Sequence, residues 1–405
     1  MIINIFITLS LLLITAFILS RIFTLPRNIW LLFIAQPLVA ASAPVIVFIG
    51  GILSSKLAED PSLATLPITL MILGVAAGSI PAAMLAKIKG RKFAALTGLS
   101  CSMVAALTAL VSTKMASFEL FALASLLFGF GSAFIQQFRF AAMESVSPEL
   151  MPIAASRLLL AGIIAAYLGP ELVTLGQSIH EQTFTGAFYL LGGCFIIAFF
   201  LLLFGYHNIE IKHEEGEAAQ RSISELLSSP GILLAIGSAA VGFAVMSFIM
   251  TATPISMHEL SHYSLEETKW VIQSHIMAMF IPSLFSGWLV RKLGFTMMMW
   301  AGLGIYGVCL FIAYWDQTLI HYWGALVLLG LGWNLLFVAG TALLPQMYHA
   351  NETHRVQGLN DLIVFSAQAI ASLGSGILLI LLGWQGIMWV ALPMIAIQVM
   401  LLLNW

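Results

Sequence analysis

The chain has 405 residues, of which 60% are hydrophobic and 8% charged, with a mean hydropathy of +1.02. A soluble domain carries roughly 25% charged residues, so this chain has too few charges to cover its surface in water. That excludes a soluble globular enzyme and a disordered chain. The net charge of −2 leaves no basic field to hold nucleic-acid phosphates.

Apolar runs of about 20 residues, the length a membrane helix needs, follow one another along the chain. They fall at 2–20, 29–53, 64–86, 93–112, 116–141, 152–177, 184–206, 230–256, 268–290, 294–314, 322–346, 358–383 and 385–404. Strand-like alternation is absent, which excludes a barrel. The sequence predicts an all-α membrane protein of two six-helix bundles, at 28–206 and 230–405. An extra hydrophobic helix precedes them in segment 1–27. Met1–Ser20 lacks a basic leader and a small-residue cleavage site, so it reads as a retained helix. Removal in the mature protein and a misassigned start are the alternatives.

Orientation follows from the basic residues. With Arg21 and Arg27 inside, the cytoplasmic segments also hold Lys87, Lys89, Arg91, Lys92, Arg139, Arg157, Lys212, Arg221, Arg291, Lys292 and Arg355. Only Lys56, Lys114 and Lys269 fall outside. This positive-inside bias puts the C-terminus in the cytoplasm. The glycosylation triplet Asn351-Glu352-Thr353 is then cytoplasmic and silent. The polar stretch 207–229 reads as a solvated cytoplasmic linker, partly helical.

The halves repeat each other. Ala41-Ser42-Ala43-Pro44 matches Thr251-Ala252-Thr253-Pro254. The segment from Ala83 to Gly90 matches Gly287 to Gly294, and Leu127-Phe128-Gly129-Phe130-Gly131 matches Leu328-Leu329-Gly330-Leu331-Gly332. The offsets are similar and close to half the chain length. Such repeats place a solute near the membrane midplane and move one bundle against the other. The glycine pairs either bring helices into close contact or serve ordinary packing. Gly90 and Gly294 close tight turns.

With these residues the sequence resembles the major facilitator superfamily over about 29–405. That family's loop motif, G-x-L-x-D-[RK]-x-G-[RK]-[RK], reads here from Ala83 to Lys92. Gly90-Arg91-Lys92 fits its tail, while Ala83 replaces the leading glycine and Lys87 the aspartate. In the second copy Arg291 takes the aspartate position, followed by Lys292 and Gly294. The resemblance implies a secondary transporter that moves a small organic solute by alternating access. In the family the motif's aspartate joins a cytoplasmic latch, so a basic residue there calls for an acid. By pseudo-symmetry Lys87 would meet Glu352 or Asp361, and Arg291 would meet Glu144 or Glu149. The cytoplasmic gate therefore comprises Lys87, Gly90, Arg91, Lys92, Arg291, Lys292, Gly294, Glu144 and Asp361. The plainer reading makes the basic residues anchors in water.

Charges and polar groups within spans are costly and mark function by default. Glu171 follows Gly169-Pro170, which resembles the family's antiporter signature, and export is slightly favoured on that ground. A carboxyl or imidazole can carry a proton, so Glu171, His275 and Asp361 are proton-coupling candidates. No nucleotide-binding loop occurs, which makes the proton gradient the leading energy source. Gln36, Gln136, Gln137, Ser247, Thr251, Asn334 and Gln368 are the solute-binding candidates, since lipid would leave their polar groups unsatisfied. Trp30, Phe134, Phe138, Phe248 and Trp333 would form an aromatic cavity wall or else lie in the core.

His258-Glu259-Leu260-Ser261-His262 has the H-E-x-x-H form of a zinc protease. No third ligand is evident, so an intramembrane metalloprotease is the alternative of another class, beside an importer of a nutrient or metal chelate and a sensor without flux. The leading reading needs no metal and no cofactor. Its partners are a small-molecule solute, protons and the lipid bilayer, and a monomer suffices.

Overall fold

In the computed structural model the described residues are Ser10, Ile14, 25–146, 151–180, 184–208, 221–349 and 352–405. Nearly all of the expected N-terminal helix, most of the 207–229 linker and Glu149 lie outside them. The described residues are helical with no strand among them. The chain divides into two compact units, Met1–Ile211 and Lys212–Trp405.

In the first unit, helix α1 spans Arg27–Leu57 with a turn at Ala41. Pro44 has no N–H to give the Ala40 carbonyl, so the ladder loosens at that turn. Helices α2 (66–89) and α3 (91–115) form one run that doubles back at Gly90, where φ is +85° and ψ 163°. A side chain there would be strained, and its Cβ would lie 2.5 Å from Asn208 Nδ2. Helix α4, Phe118–Met143, starts on Ser117, whose hydroxyl accepts from the Leu120 N–H. Helices α5, Met151–Ile179, and α6, Thr185–Gly205, complete the unit.

In the second unit, Ser222 and Glu225 form a reciprocal cap on the short helix Ile223–Leu227. Helix α7, Pro230–Pro254, widens into a π turn at Ile255–Leu260. Pro254 withholds an N–H from the Met250 carbonyl just before that turn. Helix α8 runs from Leu265 to Phe280, is interrupted by a tight 3₁₀ turn at Ile281–Phe285, and resumes over 286–293. The run expected as unbroken over 268–290 is thus broken. Pro282 is the physical reason, because it withholds an N–H from the Ala278 carbonyl. Gly294, at φ +73°, turns the chain into α9 (295–315). Helix α10 is Leu319–Leu343. Helices α11 (353–382) and α12 (384–403) meet at Gly383, at φ +68°. Each of the twelve apolar runs from 29–53 onward holds one of these helices, within a few residues at each end.

The glycine pairs bring helices together in both units. A Cβ on Gly129 would meet the Met71 carbonyl oxygen of α2 at 1.9 Å, and one on Gly131 the Ser102 hydroxyl of α3 at 2.3 Å. In the second unit, Gly330 would meet the His275 carbonyl of α8 at 2.6 Å, and Gly332 the Tyr306 ring of α9 at 2.5 Å. The fourth helix of each unit therefore lies with one glycine against the second helix and the other against the third. The repeated glycine pair in the sequence corresponds to this common contact pattern.

Candidate functional site

The loop at Gly90 carries a charged cluster. Arg91 donates from Nε to Glu144 Oε2 at 2.8 Å, makes a second, shorter contact to Oε1, and gives Nη1 to Gln137 Oε1 at 2.9 Å. Such a forked pair fixes geometry as well as charge. Asn208 accepts from the Lys92 backbone N–H at 2.9 Å, and so ties the chain after α6 to the same turn. Arg91, Gln137 and Tyr206 border a cavity of about 10 Å³, with Phe134, Phe138 and Leu202. That volume is at the threshold for a single water and cannot admit an organic solute. The cluster is a joint between α3, α4 and the end of α6.

The second unit builds its corresponding end differently. The residue after Gly294 is Phe295, not arginine, and the acid beyond α10 is held from the linker side. Arg221 donates from Nε to Glu352 Oε1 at 2.7 Å and from Nη2 to Oε2 at 2.6 Å, and its backbone N–H adds a bond at 3.1 Å. The His349 N–H supplies another at 3.0 Å, and Arg355 Nη1 clasps the Arg221 carbonyl at 2.8 Å. Glu352 is only 1% exposed. The Arg221 guanidinium, followed by the His349 N–H, holds its carboxyl down at about 2. Thus Glu144 and Glu352, set out above as partners for Arg291 and Lys87, are each engaged by an arginine of their own unit. This arrangement was not legible in the sequence, where Arg221 read as part of a solvated linker.

A pH prediction follows. A carboxyl whose folded value lies below its ordinary 4.5 stabilises the fold fully above that pH. The contribution is lost as pH falls from about 4.5 to about 2. The melting midpoint of the purified protein is expected to drop across that acid range, and Glu352→Gln to flatten the drop. Identical acid limbs for the two proteins would contradict the pairing.

Other gate residues are exposed. Lys87, Arg291 and Lys292 lie at the surface, with Lys292 Nζ 4.8 Å from the Trp288 ring centre. Asp361 is also exposed and accepts from Asn360 Nδ2 at 3.0 Å. Among the solute-binding candidates, Gln136 is exposed on α4, while Gln137 is occupied by Arg91. Ser247 is buried, and Thr251 hydrogen-bonds Ser372 at 3.3 Å. Gln368 is half-buried, as is Gln36, whose Oε1 has no partner. Of the aromatic residues, Phe134, Phe138, Phe248 and Trp333 are buried and Trp30 half-buried.

Glu171 is 5% exposed, in a buried stretch of α5 over 168–176. His275 is fully buried, and its Nδ1 lies 2.7 Å from the Leu326 carbonyl oxygen. A carbonyl only accepts, so Nδ1 carries the hydrogen. Four residues further along α10, Gly330 touches α8 backbone, and four further still Asn334 donates Nδ2 to the Met279 carbonyl at 2.7 Å. Asn334 also contacts Ser283 Oγ within the 3₁₀ turn. Positions 326, 330 and 334 lie on one helix face and fasten α10 to the first part of α8. Both His275 and Asn334 are spent at least partly on this joint.

Beside it sits an aromatic cluster. Trp333 and Phe337 stack with centres 4.9 Å apart and planes 10° from parallel. Phe243 stands perpendicular to both, at 5.1 and 5.4 Å, and Phe280 meets Trp333 at 6.5 Å. These are favourable offset and edge-to-face arrangements. Only Trp333 of this group was singled out from sequence. The i, i+4 spacing of Trp333 and Phe337 was the available signal.

The His258-Glu259 motif falls on the π turn and not on an α-helix, which displaces the i, i+4 facing that zinc binding requires. His258 Nδ1 is bonded to the Tyr263 carbonyl at 2.9 Å, and His262 takes a positive φ of 58°. Among the described residues no group of three or more His, Cys, Asp or Glu side chains could hold a metal.

The family profile of the Major Facilitator Superfamily matches residues 29–371 and again 239–405. The chain belongs to the Major Facilitator Superfamily. It is a multi-pass membrane protein and a secondary transporter, not an enzyme, so the metalloprotease alternative falls. A riboflavin transporter of Brucella anthropi, RfnT, is 35% identical over 378 residues, covering 92% of this chain and 94% of that one. An uncharacterised facilitator-type transporter of Bacillus subtilis, YddS, is 28% identical over 82% of this chain and 79% of its own length. Solved structures share the fold. A bacterial metal transporter aligns with a TM-score of 0.66 at 17% identity, covering 94% of this chain and 99% of its own. The human organic anion transporter MFSD10 aligns at 0.65 and 14% identity, over 93% and 99%.

Proposed function

We propose that this transporter carries a flat heteroaromatic solute of the flavin class, riboflavin being the first to test, across a bacterial inner membrane. The observation that carries the reading is the 35% identity to a riboflavin transporter over 92% of the chain. The stacked Trp333–Phe337 pair supports it, because such a cluster suits a planar ring. The positive-inside bias supports a cytoplasmic C-terminus. Coupling to protons is proposed through Glu171, the buried carboxyl of α5, while His275 serves the α8–α10 joint. Export is the favoured direction on the Gly169-Pro170 resemblance, with import the second reading.

The test is riboflavin fluorescence in proteoliposomes under an imposed pH gradient of either sense. The expected result is gradient-dependent flavin movement at least about tenfold above protein-free vesicles, a difference of about 1.4 kcal/mol in barrier. Movement no faster than in protein-free vesicles, in either sense, would overturn the flavin reading.

A further inference from the structure

Among the described residues, six buried side-chain atoms of the second unit have no partner: Glu259 Oε1, His275 Nε2, Trp323 Nε1, Trp333 Nε1, Asn334 Oδ1 and Gln398 Oε1. Trp333 is 5% exposed and its indole Nε1 makes no hydrogen bond. Asn334 is 1% exposed and its Oδ1 makes none either. The orientation of the Asn334 amide is fixed, because the Met279 carbonyl at 2.7 Å can only accept and so must face Nδ2. The oxygen is therefore the atom left over. An unmet donor and an unmet acceptor in a dry site are expensive. Here one of each sits on consecutive residues of α10, both beside the Met279–Phe280 end of α8.

Of these six atoms, only the donor on Trp333 and the acceptor on Asn334 fall on consecutive residues, and other polar groups of the unit are paired. On α7 the Thr251 hydroxyl is bonded to Ser372, and on α9 the Tyr306 hydroxyl donates to the Gly242 carbonyl at 2.7 Å. The adjoining aromatic faces differ in depth. Phe243 and Phe337 are half-buried. Trp333 and Asn334 lie deeper.

We infer that Trp333 and Asn334 are the recognition pair for a planar heteroaromatic ring whose edge carries an N–H beside a carbonyl. The solute's N–H donates to Asn334 Oδ1, the Trp333 Nε1–H donates to the solute's carbonyl, and the ring face lies against Phe243 and Phe337. An imide edge of this kind belongs to flavins and equally to pteridinediones. The inference rests on the heteroaromatic reading above but does not need the solute to be a flavin. It also explains how one residue can join helices and read solute. Nδ2 holds the break in α8, while Oδ1 faces the partner that the chain itself does not supply.

The test is binding to the purified full-length protein, followed by fluorescence, with riboflavin and with riboflavin methylated on its imide nitrogen. A pteridinedione and its N-methyl form make a parallel pair. The wild type is expected to prefer the unmethylated member of at least one pair by about tenfold, the loss of one hydrogen bond in a dry site. Asn334→Leu should bring that ratio close to one. Trp333→Phe, which keeps the ring and removes the donor, should weaken both members severalfold and keep the ratio. Melting curves establish that each variant is folded. Should Asn334→Leu fail to fold, Asn334→Ser, which keeps a short polar group but withdraws the oxygen, replaces it. Preference within the pteridinedione pair alone, abolished at Asn334, leaves the inference standing and removes the flavin reading. Equal binding of both members of each pair by wild type, or a preference that survives in the folded Asn334 variant, overturns the inference. So does the absence of binding by all four compounds.

Discussion

Gly129→Ala is expected to lower the melting midpoint sharply, whereas Gly193→Ala should leave it almost unchanged. Both glycines lie within helices of the first unit, and helix propensity alone would favour alanine at each. Their surroundings differ. An added Cβ at Gly129 would stand 1.9 Å from the Met71 carbonyl oxygen and 2.7 Å from its carbon. At Gly193 it would meet nothing within 4 Å. The obstacle at Gly129 is backbone, which cannot turn aside as a side-chain tip can. Overpacking in a core costs roughly 1–3 kcal/mol, and a rigid obstacle places this case at the upper end. Helix association in a bilayer depends on close backbone approach, since apolar surface is not driven out of lipid as it is out of water. The check is thermal unfolding of the detergent-purified variants, with transport measured in parallel. Equal midpoints for the two variants would show that α2 and α4 are not in backbone contact.

Glu171→Gln is expected to abolish gradient-driven accumulation of solute while sparing equilibration down the solute's own gradient. Glu171 lies in the buried stretch of α5 behind Pro170 and is 5% exposed. A carboxyl within a membrane-spanning helix is a candidate proton carrier. Glutamine keeps the size and polarity and cannot carry the proton. Accumulation should fall at least about tenfold, equivalent to about 1.4 kcal/mol or more of lost driving force. Solute exchange with no pH gradient should stay within about twofold of the wild type, roughly 0.4 kcal/mol. Accumulation that survives in Glu171→Gln would move the coupling elsewhere. Loss of both activities in a folded variant would place Glu171 in solute handling and not in coupling.

Much of the fold could be read from the sequence because bilayer physics is local. A helix that crosses lipid must satisfy its own backbone and present about 20 apolar residues, so α1 to α12 are visible as runs. The turns at Gly90 and Gly294 were legible because a one-residue reversal between helices requires positive φ, which glycine alone adopts cheaply. The repeated glycine pairs were legible for a related reason. A backbone contact leaves no room for a Cβ, and that demand marks the sequence wherever two helices touch.

Partnership was not legible. Glu144 and Glu352 were each given a cation on charge and symmetry, but which cation is nearest depends on how distant segments meet. Arg91 reaches Glu144 across 53 positions, and Arg221 reaches Glu352 across 131. The break in α8 was concealed because its residues stay apolar and only Pro282 marks it. His275 and Asn334 looked alike as polar groups in spans. Their roles separate only through Leu326 and Met279, carbonyls on a neighbouring helix that carry no side-chain signature. The sequence by itself determined an all-helical, membrane-spanning repeat and the points where its helices turn or touch, because those depend on local hydropathy and on the absence of a side chain. Only the tertiary structure decided which polar groups are satisfied and which are left over, because a hydrogen bond requires two partners within about 3 Å.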